Sequence, residues 1–153
     1  MEKSNTLEEQ VQKLADLCDQ GESELVLSKV ELLIAMYPNA PSLPNIKGIA
    51  FRNRGDQSAA MKSYEQALKL DPNYTQAHFN IGTVLSETGF LTAALNSYQK
   101  VIDLEPNSFQ SYFLMGKIHL KMLKFEAAID NFKRALTIKP DYVLAHQEMA
   151  YCL

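Results

Sequence analysis

Apolar side chains recur along this chain every three or four residues, and the recurrence breaks at regular points. Leu7, Val11, Leu14, Ala15, Leu17 and Cys18 share one side of a helix that stops at Gly21. Thr6-Leu7-Glu8-Glu9 opens it with the spacing of a capping box, in which Thr6 caps the helix and Glu9 reaches back. A second helix is expected from about Ser23, with Leu25, Val26, Val30, Leu33 and Ile34 on its buried side. It ends near Tyr37-Pro38-Asn39, because proline lacks the amide that another turn would need. The two form one helical hairpin over residues 7–40.

The same arrangement then returns at a fixed interval. Gly48 recurs as Gly82 and Gly116, Ala60 as Ala94 and Ala128, and Tyr64 as Tyr98 and Phe132, each step being 34 residues. Pro38, Pro72, Pro106 and Pro140 keep the same step, and so do Gly21, Gly55 and Gly89. A period of this size means stacked copies of one supersecondary unit. Residues 1–153 are therefore read as a single array, with copies at 7–40, 41–74, 75–108 and 109–142 and a half copy at 143–153. The expected fold is all-α, a right-handed superhelical solenoid of four helix-turn-helix hairpins and a ninth helix.

Local chemistry agrees with those boundaries. Pro41-Ser42-Leu43-Pro44 opens the second copy, where proline is tolerated because first-turn amides have no intrahelical partner. Its second helix is expected from about Gln57 to Leu70, after a left-handed turn at Gly55. In the fourth copy Leu123 stands where that glycine should be, so the turn is reshaped or Leu123 accepts strain. The joins Pro38-Asn39, Pro72-Asn73, Pro106-Asn107 and Pro140-Asp141 offer a short polar side chain to cap the next helix. The first copy is degenerate, since Leu14, Val26 and Val30 stand where later copies have glycine, alanine and an aromatic.

Glycine in mid-helix costs roughly 1 kcal/mol against alanine, so three in register need an offset. Close helix approach opposite Ala60, Ala94 and Ala128 supplies one, with Tyr64, Tyr98 and Phe132 expected to fill the wedge between successive hairpins.

Composition narrows the function. The formal charge is −3, which argues against the basic surface that nucleic acid requires. The first five residues are polar and no apolar run follows, so no signal peptide is expected. The longest uncharged apolar run, residues 32–37, is too short to span a bilayer. Cys18 and Cys152 lie at opposite ends of an array whose units touch only neighbours, so free thiols and a reducing, cytoplasmic setting are the reading.

The repeat resembles the tetratricopeptide repeat (TPR), whose 34-residue hairpin is marked by Leu-Gly, Tyr, Gly, Ala, an aromatic, Ala and Pro. The best match is Lys47-Gly48, Phe51, Gly55, Ala60, Tyr64, Ala67 and Pro72. The next copy reads Ile81-Gly82, Leu85, Gly89, Ala94, Tyr98, Val101 and Pro106. The resemblance runs over residues 7–153; the family's tryptophan is replaced by Pro44, His78, Tyr112 and His146.

The resemblance implies a concave groove lined by the first helix of each hairpin. Mapped onto this chain, that face carries Asn45, Arg52 and Asn53, then Phe79, Asn80, Thr83, Ser86 and Glu87, then Phe113, Lys117, Leu120 and Lys121. Phe79 and Phe113 are expected to be exposed there, and large exposed aromatics mark binding surfaces. Family members that grip a C-terminal carboxylate use two lysines, two asparagines and an arginine. Only Asn80 matches that clamp, the other places holding Asn45, Ile49, Gln110 and Leu114, so a carboxylate clamp is not expected.

His78, His119 and His146 fall at packing positions on different levels of the stack, so no metal site or cofactor is expected. No phosphate loop, nucleophile elbow or cysteine–histidine pair appears, and the chain is read as a non-enzyme. The leading function is a protein-interaction scaffold that holds a peptide segment of a partner protein in the groove, without nucleic acid or membrane. The alternative is the N-terminal recruiting module of a larger enzyme, such as a glycosyl- or sulfotransferase. Self-association through the chain ends is a further expectation. Residues 1–40 hold three lysines against eight acids, and residues 109–142 six basic residues against three acids. Ala145, Met149, Ala150 and Leu153 form the apolar face a following helix would cover.

Overall fold

The computed structural model describes residues 6–153. Glu2 and Lys3, which enter the charge of the N-terminal end, and the polar stretch they belong to lie outside the described residues. Among the described residues there are nine α-helices and no strand. They are α1 (Leu7–Asp19), α2 (Ser23–Met36), α3 (Ser42–Asn53), α4 (Gln57–Leu70), α5 (Thr75–Glu87), α6 (Leu91–Leu104), α7 (Phe109–Lys121), α8 (Phe125–Ile138) and α9 (Val143–Cys152). The chain divides into two compact units, Met1–Asn80 and Ile81–Leu153, with the boundary inside α5.

In the first unit, Thr6 Oγ1 accepts the Glu9 amide at 3.3 Å and starts α1. Gly21 turns the chain at φ 79° and Gly55 at φ 84°, a left-handed conformation that costs glycine nothing. Asp56 starts α4 by accepting the Ala59 amide at 2.9 Å. The core joins α1, α2 and α3 through Leu14, Cys18, Val26, Val30, Leu43, Ile46 and Ala50. Two ion pairs bind α2 to the third helix from outside, Glu31 with Lys47 and Glu24 with Arg54, the latter at 3.1 Å.

The second unit buries Phe113, Ala128, Phe132, Ala135 and Ala145 in one cluster of α7, α8 and α9. Gly89 turns the chain into α6 at φ 88°. Leu123 does the same ahead of α8 at φ 57° with its side chain exposed. The fourth copy therefore keeps the turn and accepts the strain.

The three mid-helix glycines face rings, not small residues. A Cβ on Gly116 would sit 2.5 Å from Phe132 Cε1, and one on Gly82 would sit 2.9 Å from Tyr98 Cε1. One on Gly48 would strike Tyr64 in the same way. The aromatic thus lies across the first helix of its own hairpin, not in a wedge between hairpins. Ala60, Ala94 and Ala128 are fully buried as well, but the glycine is needed because the ring occupies the place of its side chain.

Two further expectations need correction. Asn39, Asn107 and Asp141 do not cap the helices that follow them. The N-caps of α3, α7 and α9 are Pro41, Ser108 and Tyr142, none of which makes a side-chain capping bond. The polar residue after each of these prolines falls in the turn, ahead of the cap position. In α9, Ala145 is buried and Met149 packs against the core, so the exposed apolar residues are Val143, Leu144, Tyr151 and Leu153.

Alanine normally improves on glycine in a helix by about 1 kcal/mol, and the rings reverse that sign here. We expect Gly116→Ala to lower stability by about 1–3 kcal/mol, as overpacking does, and Gly82→Ala by less. Urea unfolding measures both. A Gly116→Ala protein as stable as the parent would mean that the ring yields and the close approach is dispensable.

Candidate functional site

The expected groove residues lie on α3, α5 and α7, and their environments differ between the two units. In the first unit Asn45 is only 5% exposed, and its Oδ1 accepts a hydrogen bond from Asn80 Nδ2 at 2.9 Å. This bond joins α3 to α5 and fixes the orientation of the Asn80 carboxamide at a half-buried position. Asn53 Nδ2 donates to the Cys18 carbonyl at 3.2 Å, satisfying an oxygen at the end of α1 that has no helical partner. Arg52 and Phe79 are half-buried on the same two helices.

In the second unit the Thr83 and Tyr98 hydroxyls are 3.1 Å apart, so the threonine is tied to the ring that covers Gly82. Ser86 is half-buried and Glu87 exposed at the end of α5. Phe113 departs from expectation, being only 6% exposed. Its ring lies 5.8 Å from Phe132 and meets Tyr142 edge-on at 5.0 Å, because α8 and α9 both close over that side of α7. Lys117 stays exposed with its ammonium 5.7 Å from the centre of the Phe113 ring, and Lys121 is exposed one turn further on. Leu120 packs partly against the cluster.

Sequence reasoning missed the aromatic group that buries Phe113. Tyr142 also meets Phe109 edge-on at 5.0 Å, and Lys139 lies 4.9 Å from the Phe109 ring centre. The available signal was Tyr142 standing 68 residues after Tyr74, twice the repeat length.

The histidines hold structure together, as their packing positions implied. His78 Nε2 is 2.8 Å from the Pro72 carbonyl, and His146 Nε2 is 2.8 Å from the Pro140 carbonyl. His119 in α7 has its Nδ1 buried without a hydrogen-bond partner. Burial and then the charge of Lys124 hold its pKa below the ordinary histidine value. Both cysteines are free; burial, then Asp19, pushes the Cys18 thiol up to about 11, and burial, then Glu148, raises Cys152. Raised values keep both as thiols at neutral pH, which is the unreactive form. Among the described residues no group of three or more His, Cys, Asp or Glu side chains is placed to hold a metal ion. No described helix is long and apolar enough to cross a membrane.

Tandem helix-turn-helix units in a 34-residue register define an all-α helical-repeat solenoid. The sequence matches the TPR repeat over residues 48–89 and 85–122, and the tetratricopeptide repeat over 109–142. The chain belongs to the tetratricopeptide repeat family. Solved structures share the fold. MamA (41-end) from Desulfovibrio magneticus RS-1 is 24% identical, with 92% of this chain covering 80% of that one at a TM-score of 0.80. The pilF protein of Pseudomonas aeruginosa is 19% identical, with 94% of this chain covering 65% of that one at a TM-score of 0.87. A chain of the APC/C hetero-tetramer Cut9-Hcn1 is 18% identical, with 94% of this chain covering 29% of that one at a TM-score of 0.84. No curated protein matches.

The lowered pKa of His119 has a definite consequence for stability. The unfolded chain, with an ordinary histidine near 6.5, takes up a proton before the folded chain does. Stability from this residue is therefore complete above about pH 6.5 and falls as the pH drops below it. His119→Leu, which places the residue that Leu85 provides one copy earlier, should flatten the stability profile between about pH 7 and 5. Parent and variant losing stability in parallel over that range would assign the acid sensitivity elsewhere.

Proposed function

We propose that this protein is a non-enzymatic interaction scaffold that holds a peptide segment of a partner protein along the first helices of its hairpins. The observation that carries this reading is the Asn45–Asn80 bond. It holds a peptide-like carboxamide in one orientation at a half-buried position, beside Phe79 in sequence, so binding a backbone amide costs little reordering. Lys117 and Lys121, exposed one turn apart on α7, favour acidic side chains in the segment bound there. Arg52, Thr83 and Glu87 complete the set of polar contacts, and the buried Phe113 supports Lys117 from beneath.

The test is a peptide library selected on the 153-residue chain, with the selected peptides then measured on variants. Asn80→Ala should weaken binding about ten-fold, the range for a lost hydrogen bond. Lys117→Ala with Lys121→Ala should remove a preference for acidic peptides. Selected peptides that bind all these variants as tightly as the parent would move the site off α5 and α7. Phe113→Ala is unsuitable, since it removes a core ring and confuses folding with binding.

A second reading is self-association, favoured by the exposed Val143, Leu144, Tyr151 and Leu153 of the last helical segment. Sedimentation of the parent should then show a concentration-dependent dimer that Tyr151→Glu with Leu153→Glu abolishes. A parent that stays monomeric at high micromolar concentration sinks this reading.

A further inference from the structure

The first hairpin differs from the other three on its outer surface. Leu32 is 69% exposed, whereas the equivalent places in the later copies hold Gln66, Lys100 and Arg134, all exposed and polar. Lys29 stands where those copies have Ser63, Ser97 and Asn131. Met36, one turn beyond Leu32, is 65% exposed. Two solvent positions that are neutral or polar elsewhere in the array have become a cation and a large apolar residue, three apart on one helix face.

These residues line a cleft of about 360 Å³ between α1 and α2. Its apolar wall is Leu14 and Leu17 on one helix with Leu32, Leu33 and Met36 on the other, and Lys13 and Lys29 stand at its rim. Leu14 occupies the glycine place of the later copies, and Val30 the aromatic place. No ring lies across this hairpin as Tyr64, Tyr98 and Phe132 lie across the others. On α2 the lining falls at positions 29, 32, 33 and 36, the i, i+3, i+4, i+7 stripe that receives a third helix.

The charges choose the occupant. Both acids of α2 are turned away into ion pairs, Glu24 with Arg54 and Glu31 with Lys47. The cleft thus presents two lysines in a hairpin whose other charges are acidic. We propose that the α1–α2 cleft is a second docking site, for an amphipathic helix of a partner protein with leucine-like anchors and acidic residues beside them. It is independent of the peptide site read on α3, α5 and α7.

The probe is a fluorescein-labelled helical peptide of about four turns, with leucines at i, i+3, i+4 and i+7 flanked by glutamates. A second peptide carries lysines in place of the glutamates. Fluorescence anisotropy on the full chain should show the acidic peptide binding about ten-fold tighter than the basic one, the sign expected of complementary charges. Leu32→Gln and Lys29→Ser place residues that the second copy carries at these points, so the fold should tolerate both. The first should weaken binding about ten-fold and the second should erase the preference for acid, while Asn80→Ala changes neither. No binding by the parent, equal binding of the two peptides, or indifference to Leu32→Gln overturns the proposal. So does a loss in Asn80→Ala, which would place the peptide in the other site, or a parent dimer that Leu32→Gln dissociates, which would give the cleft to a second copy.

Discussion

Everything in the complete hairpins depends on a ring lying where a side chain would be. Tyr64, Tyr98 and Phe132 are almost wholly buried, and each crosses the backbone of the first helix at a glycine. Burying such a ring stabilises by about 1.5–3 kcal/mol, which outweighs the roughly 1 kcal/mol that glycine costs in a helix. The ring also sets how closely the two helices pack, since any Cβ at the glycine would push them apart. Later features follow from that spacing, including the full burial of Ala60, Ala94 and Ala128 and the tie between Thr83 and Tyr98.

The first hairpin shows what happens when that contact is replaced. Leu14 and Val30 pack side chain against side chain, as in an ordinary helix pair, and both are buried. A leucine–valine contact fills less of the interhelical space than a ring laid over a glycine, and the outer side of the pair stays open. Its ion pairs to Lys47 and Arg54, with the Asn53 bond to the Cys18 carbonyl, hold it against the next hairpin by other means.

Much of the fold was legible because it depends on local rules. Proline, glycine and the apolar period set the helix ends, so α2 begins at Ser23 and α4 spans Gln57–Leu70 as expected. The candidate site was less legible, because its details depend on partners about 35 residues away. Asn45 and Asn53 sit on the expected helices, yet each makes a bond that local spacing does not reveal. Phe113 occupies the same copy position as Phe79, but Tyr142 and Phe132 cover it. Its burial is a property of the helices that follow, not of α7 itself.

The histidine ties carry a consequence for how the array is built. Pro72-Asn73-Tyr74 and Pro140-Asp141-Tyr142 are each followed by Ala and His at the same offsets, and each His bonds back to its proline carbonyl. The joins at Pro38 and Pro106 lead instead to Pro44 and Tyr112. The joints therefore alternate in kind, and the true unit of construction is a pair of copies, 68 residues long. Moving one copy along the chain would set a histidine-tethered joint beside another of its kind, whereas moving two would leave the order of joints unchanged.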